Sequence, residues 1–216
     1  MKPVLFGLAI IAMVIGIVTG GAVARLSDTE TSTGNTFAAG TWIDHILINE
    51  VMYNPEFPDA QNEWVELYNP TPWDIDVGGW TIQDSSGNLP DILEGDSDHG
   101  DGSTVIPSHG YAVITDKDTQ VYVNFTVPAQ AVKLYVDDTA IGDSLNNSGD
   151  KLLLKTISAT VADAMEWIIN YVDVPGYPAD GVPESESLAR YHGVDENNSY
   201  TDFYIEPSPA PGAENE

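Results

Sequence analysis

The chain contains no cysteine, so no disulfide bond can stabilise its fold. Basic residues are almost as scarce, because seven Lys and Arg stand against 34 Asp and Glu, for a formal net charge of −27. A surface of this sign attracts cations and repels nucleic acid and anionic lipid. The sequence also lacks an HExxH motif, a P-loop, a nucleophile elbow and a dinucleotide-binding glycine pattern. These absences argue against nucleic acid as a partner and against several common enzyme classes.

An uncharged apolar run stands at the start of the chain. Residues 4–24, VLFGLAIIAMVIGIVTGGAVA, follow Lys2 and end in small residues at Ala22 and Ala24. This pattern predicts a hydrophobic leader helix that acts as a secretory signal peptide over residues 1–24. Because about 20 apolar residues span a bilayer, a retained membrane anchor is the alternative, and only this segment would contact a membrane. Either way, the rest of the chain is expected to be secreted or displayed at the cell surface.

Residues 25–45 form a Ser/Thr-rich segment that is predicted to be a linker. Within it, LSDTETSTGNTFAAGT at 26–41 resembles the start of mature TasA and camelysin-like surface proteins. The resemblance implies export through a signal peptidase of the SipW type, and some of those proteins assemble into fibres. Three N-glycosylation sequons, which begin at Asn124, Asn146 and Asn197, agree with export.

The following segment alternates apolar and polar residues in short runs. Residues 46–83, ILINEVMYNPEFPDAQNEWVELYNPTPWDIDVGGWTIQ, are rich in β-branched and aromatic residues and are interrupted by Asn-Pro, Thr-Pro and Gly-Gly. Such runs predict the strands of an antiparallel sheet. Trp64, Trp80 and Trp167 are expected to anchor the core, and Trp73, beside Pro72, is expected to join it.

The order of these residues is specific as well. INEVMYNP, EWVELYNPT and DVGGWTIQD closely resemble the lamin-tail domain, and supporting matches are STVIPSHGYAVI, LNNSGDKLLL, DAMEW, SLAR and SPAPGAEN. The resemblance implies an immunoglobulin-like antiparallel β-sandwich over residues 46–206, preceded by the leader helix. Residues 207–216, PSPAPGAENE, are predicted to be a Pro-rich acidic tail that trails in extended form.

An acidic loop within PDILEGDSDHGDG, residues 90–102, is the best candidate for a metal site. Ca²⁺ takes about six to eight hard oxygen ligands, which alternating Asp residues in a glycine-containing loop can supply. The alternative is a solvated acidic loop, and Pro107 stands where an EF-hand has its bidentate Glu. Ca²⁺ is therefore the one cofactor that the sequence suggests, and no catalytic residue is predicted. The candidate ligands are Asp91, Glu94, Asp96, Asp98 and Asp101.

The leading functional hypothesis is a non-enzymatic extracellular interaction module for adhesion, envelope or matrix organisation, with a protein or glycan as its partner. The second is a subunit of an extracellular fibre or surface layer, in which residues 26–41 add a strand to a neighbour. The third is a carboxylate-based hydrolase, although with 34 acidic residues no pair stands out. Glu50, Glu63 and Glu66 are expected to hydrogen-bond buried backbone.

Overall fold

The computed structural model describes residues 45–56, 58, 60–86, 90–168 and 181–215. The predicted leader, and all of the predicted linker except His45, lie outside these residues. The strands are β1 Leu47–Met52, β2 Trp64–Tyr68, β3 Ile75–Asp76, β4 Thr81–Gln83, β5 Asp91–Ile92, β6 Glu94–Gly95, β7 Val105–Ile106, β8 Tyr111–Asp116, β9 Val132–Val136, β10 Gly149–Lys155, β11 Val161–Ile168, β12 Ser187–Arg190 and β13 Phe203–Glu206. The helices are a 3-10 turn at Ala60–Asn62, α1 at Val121–Asn124 and α2 at Ser199–Asp202.

The strands form two main sheets and a short ribbon. The larger sheet has the order β13-β12-β1-β2-β8-β9-β6, and the smaller has the order β11-β10-β4-β5, while β3 pairs with β7. Residues from both main sheets share one hydrophobic core, which includes Leu67, Ile114, Leu152 and Trp167. The predicted all-β class and the predicted stacking of antiparallel sheets are therefore confirmed.

One strand pair departs from the antiparallel prediction. Strands β8 and β9 run parallel, with Ala112 opposite Val132 and Asp116 opposite Val136. Two parallel neighbours need a crossover connection of about a dozen residues or more. Residues 117–131 supply that connection and include α1. The crossover places α1 against the outer face of the larger sheet, where Val121 packs on Trp64 and Val113.

A β-bulge in β1 explains which residues of that strand face the core. The pairing of β1 with β2 shifts between Ile48 and Glu50. A bulge inserts one extra residue, so the side chains beyond it change faces. Ile48 and Val51 are three positions apart and would point to opposite faces of a regular strand, yet both lie in the shared core. Glu50 is consequently carried on the outer face of the sheet.

The predicted core tryptophans occupy three different positions. Trp167 is 1% exposed and lies in the core between the sheets. Trp64 is fully buried, but in the smaller outer cluster with Met52, because Val65 and Leu67 take the inner face of β2. Trp80 is half-buried and packs against the edge of the main core.

The C-terminal residues do not trail in solvent, so that prediction is wrong. Pro211, Gly212 and Asn215 are buried, and the Gly212 amide lies 2.6 Å from the Glu66 carboxylate. We call residues 207–215 the C-terminal strap. In the part of the chain that is described, no helix is both long and apolar enough to cross a membrane.

Candidate interaction surface

The most exposed large aromatic side chain in the described residues is Trp73, which is 70% exposed. It lies in the loop between β2 and β3, and its neighbours Pro72 and Asp74 are exposed as well. The expectation that Trp73 joins the core is therefore wrong. The proline beside it suggested a packed turn, but the sequence pattern could not show that the turn points outward.

The loop that carries Trp73 is held by a buried asparagine. Asn69 is fully buried, and its side-chain nitrogen lies 2.7 Å from the Trp73 carbonyl and 3.0 Å from the Ile106 carbonyl. Its side-chain oxygen accepts hydrogen bonds from the backbone and the hydroxyl of Thr71, at 3.1 and 2.7 Å. Ser108 adds a second connection, because its backbone nitrogen donates to Asp74 at 3.0 Å. The exposed indole is therefore carried by an ordered loop, which has little conformational entropy to lose when a partner binds.

Negative charge surrounds this aromatic side chain. Asp74 and Asp76 are both exposed and lie one and three positions after Trp73 in the sequence. The Thr104 hydroxyl and the Gly78 amide donate hydrogen bonds to Asp76 and lower its pKa, so it stays ionised near neutral pH. An apolar ring bordered by carboxylates is complementary to an apolar patch bordered by basic groups.

The five predicted metal ligands are spread over the loop rather than gathered. Asp91 accepts a hydrogen bond from the Gly142 amide at 2.6 Å, Glu94 accepts one from the Tyr135 hydroxyl at 2.9 Å, and Asp101 accepts one from the Ser103 amide at 2.9 Å. Asp96 is buried and binds the amides of Asp98 and His99 and the His99 ring, at 2.7 to 3.0 Å. These bonds commit most of the carboxylates to holding the loop together.

Two of the five do meet at one cavity. Asp96 and Asp98 line a small cavity of about 120 Å³ with Asp116, which the sequence did not single out because it ends a buried strand. Asp116 is 1% exposed, its Oδ2 has no hydrogen-bond partner, and burial raises its pKa to about 6. Lys117 lines the same cavity. Within the described part of the chain, no group of three His, Asp and Glu side chains is placed to hold a metal ion.

The calcium hypothesis stays a prediction that a melting series can test. We expect added Ca²⁺ to raise the unfolding midpoint gradually, over roughly tens of millimolar, because it screens repulsion among the acidic residues, and NaCl of equal ionic strength should have the same effect. Asp98→Asn and the charge-matched control Glu56→Gln should then respond alike at fixed ionic strength. A wild-type response that saturates near ~0.1–1 mM and disappears in Asp98→Asn alone would instead establish a specific site.

A buried arginine lies at the centre of a cluster of charged side chains. Arg190 is 1% exposed, and its Nη2 lies 2.7 Å from Asp163 Oδ2, while Asp195 and Asp202 lie within 3.5 Å of Nη1. Its Nε also donates to the Ile48 carbonyl at 2.8 Å, and the Ile48 amide donates to Asp163 at 2.8 Å. Burial raises the pKa of Asp163, and the Arg190 charge offsets part of that shift. The cluster joins the two main sheets, because Arg190 lies on β12 and Asp163 lies on β11. Its polar groups hydrogen-bond one another and the backbone, which indicates a structural role.

Two of the three glutamates predicted to have structural roles, Glu63 and Glu66, accept hydrogen bonds from backbone amides. Both Glu63 and Glu66 are fully buried. Glu63 accepts hydrogen bonds from the Leu145 amide and the Ser144 hydroxyl, each at 3.1 Å. Glu66 accepts hydrogen bonds from Gly212 and Ala213 on the C-terminal strap, at 2.6 and 3.2 Å. A turn signal such as Asn-Pro could not reveal these partners, because they lie far along the chain.

The two stacked sheets and their shared core form a β-sandwich, which agrees with an immunoglobulin-like domain. The family model of the lamin tail domain matches residues 41–168, which is more than half of the chain. The protein therefore belongs to the lamin tail domain family, whose members are non-catalytic immunoglobulin-like domains. No curated protein matches the chain.

Proposed function

We propose that this protein is a non-enzymatic interaction module, exported to the cell surface or released from it, and that it binds a basic protein partner through Trp73. The observation that carries the proposal is an indole that is 70% exposed on a loop fixed by buried hydrogen bonds. Tryptophan is enriched among the residues that dominate binding energy at protein interfaces. A loop that is already ordered loses little entropy when a partner covers it.

The chemistry of the partner follows from the charge of the chain. A net charge of −27 speeds the approach of positively charged partners and opposes negatively charged ones. Asp74 and Asp76 place part of that charge beside the indole. If a partner buries roughly 100–150 Å² of the indole, the apolar contribution is about 2.5–4 kcal/mol. Export itself rests on the uncharged run at residues 4–24.

The test compares two exposed apolar side chains. Purified wild type, Trp73→Ala and Ile157→Ala are added to envelope preparations from the producing cells, and the bound fraction is measured against protein concentration. Ile157 is 79% exposed on the β10–β11 hairpin and serves as the matched control. We expect Trp73→Ala to weaken binding at least ~10-fold, while Ile157→Ala binds like wild type. Equal binding of all three would overturn the proposal.

Three further measurements complete the experiment. Because Trp73 makes few contacts, its removal should change the free energy of unfolding by no more than about 0.5 kcal/mol, so lost binding would not reflect lost folding. Raising the salt concentration should weaken wild-type binding, since the partner is held partly by charge. Size-exclusion chromatography separates a monomeric module from the alternative, a fibre or surface-layer subunit, which would form concentration-dependent polymers.

A further inference from the structure

Three glutamates lie in a row on the outer face of the larger sheet. Glu50 and Glu66 sit directly opposite each other on β1 and β2. Glu206 is opposite Ser187 in the β12–β13 pair, and the Ser187 hydroxyl donates to Glu50. All three glutamates are at most 2% exposed. A row of carboxyl groups buried together is costly unless it is protonated or well hydrogen-bonded.

The C-terminal strap supplies hydrogen-bond donors to this row. Its sequence alternates proline at positions 207, 209 and 211, so amide hydrogens remain at 208, 210, 212 and 213 of this stretch. Ser208 donates to Glu206 at 2.9 Å, and Gly212 and Ala213 donate to Glu66. The Ala210 amide interacts with Glu50 and lowers its pKa. Each glutamate in the row therefore faces its own part of the strap.

The strap fits closely where it crosses the sheet. Gly212 has a φ of +87°, and a Cβ atom on it would lie 2.6 Å from the Ala131 Cβ, so only glycine suits this position. The Asn215 side chain lies 3.4 Å from the carbonyls of Asn49 and Arg190, at the far end of the strap. The strap thus closes over the carboxyl row and is attached at both ends.

The hydrogen bonds do not satisfy the whole row. Glu50 Oε2 is buried and has no hydrogen-bond partner. The titratable groups that face Glu50 and Glu66 are Glu206 and Tyr204 from β13, Tyr111 from β8, and each other. All of these groups are acidic or phenolic, so ionisation of the row brings repulsion and no compensating attraction.

We propose that the C-terminal strap is a pH-gated clasp, which closes over Glu50, Glu66 and Glu206 while Glu50 and Glu66 hold protons and releases from the sheet as these two carboxyls ionise. The proposal concerns a different surface from the Trp73 loop and does not depend on it. Release would uncover the carboxyl row and the sheet face beside Ala131.

The direction of the pH effect follows from the protonation of the two states. Burial raises the pKa of Glu50 from 4.5 to about 8 in the closed state, with Glu206 adding to the shift, and burial and Glu50 raise the pKa of Glu66 as well. An open strap would hydrate these carboxyls and return their pKa values toward the ordinary value. The closed state then holds more protons, so closing is complete below pH 4.5 and is lost as the pH rises through about 8.

Amide hydrogen exchange tests this clasp on the intact chain. Protection factors of the Gly212 and Ala213 amides, corrected for the intrinsic exchange rate, are measured between pH 5 and pH 8. We expect them to fall by about tenfold per pH unit for each proton released. The Leu152 and Leu154 amides of β10, which lie in the main core, serve as the reference and should keep their protection. Flat strap protection, or a parallel loss in β10 that indicates global unfolding, would overturn the proposal.

Two substitutions assign the effect to the carboxyl row. Glu50→Gln is neutral at every pH and leaves only Glu66 to release a proton, so strap protection should fall by about one tenfold step less per pH unit, whereas Glu94→Gln, at an exposed site, should behave like wild type. Glu206→Gln keeps a side-chain oxygen that can accept a hydrogen bond from the Ser208 amide, but it removes a charge that raises the pKa of Glu50. The fall in strap protection with rising pH should therefore end at a lower pH than in wild type. If both variants titrate like wild type, the row does not gate the strap.

Discussion

Replacing Arg190 by alanine is expected to lower the free energy of unfolding by about 3–5 kcal/mol, the range found when one partner of a buried ion pair is removed. Three carboxylates, from Asp163, Asp195 and Asp202, face its guanidinium at 2.7 to 3.5 Å. The substitution leaves Asp163 and Asp202 buried without their cation and deprives the Ile48 carbonyl of a donor. Because a whole domain is stable by only about 5–15 kcal/mol, this loss should be apparent in a urea titration.

Lys117→Ala is the matched control for Arg190→Ala. It also removes one cation, but Lys117 is exposed and lies 3.8 Å from an exposed Asp137, so the expected cost is about 0–1 kcal/mol. The deficit of Arg190→Ala should be smaller at pH 5 than at pH 8, since burial raises the pKa of Asp163 and the substitution removes the charge that offsets part of this rise, so that Asp163 is more easily neutralised by protonation. Equal losses of unfolding free energy in the two variants would show that the Arg190 cluster does not stabilise the packing of the two sheets.

Trp167→Ala is expected to cost about 3–5 kcal/mol, the usual range for deleting a buried aromatic side chain. The indole is 1% exposed and stacks on Tyr53 with ring centroids 4.7 Å apart, and such a pair adds about 0.5–1.5 kcal/mol beyond area burial. Its Nε1 also donates to the Asn146 carbonyl at 2.9 Å, which would lose its donor. Differential scanning calorimetry or chemical unfolding measures the effect.

Trp73→Ala is the control for Trp167→Ala, because the same side chain is removed from an exposed position. Its expected cost is below about 0.5 kcal/mol. Tyr53 should become less ordered in Trp167→Ala, and the 2.9 Å hydrogen bond that the Val182 amide donates to the Tyr53 hydroxyl oxygen should weaken. A small cost for Trp167→Ala would mean that the core refills the cavity and that the stacked pair contributes little.

The periodicity of residues 46–83 was enough to predict strands, because the alternation of side chains in a strand is a local property. The periodicity was not enough to predict which side chains of a strand face the core. The bulge after Ile48 lets Ile48 and Val51 share the core and leaves Glu50 outside it. A bulge adds a residue without changing the composition, so the alternating pattern does not reveal where it occurs.

The candidate sites also divide into features that the sequence predicts and features that only the folded structure shows. The acidic loop was visible in the sequence. Asp96, however, accepts hydrogen bonds from the amides of Asp98 and His99, and these contacts depend on the folded conformation of the loop. Trp73 was expected inside because Pro72 beside it suggested a packed turn, and the sequence pattern does not show which way a turn points. The C-terminal strap was expected to trail because proline and acidic residues usually do so, whereas buried glutamates on other strands bind its amides.

The sequence by itself determined the all-β class, the family resemblance, the sign of the charge and the absence of disulfides, because each of these is a matter of composition or local order. Only the tertiary structure decided where charge is buried and what covers it. Arg190 reaches Ile48 across 142 residues, and Gly212 reaches Glu66 across 146. Burial of a charge depends on partners that distant segments bring together, and no local pattern in the chain encodes their meeting.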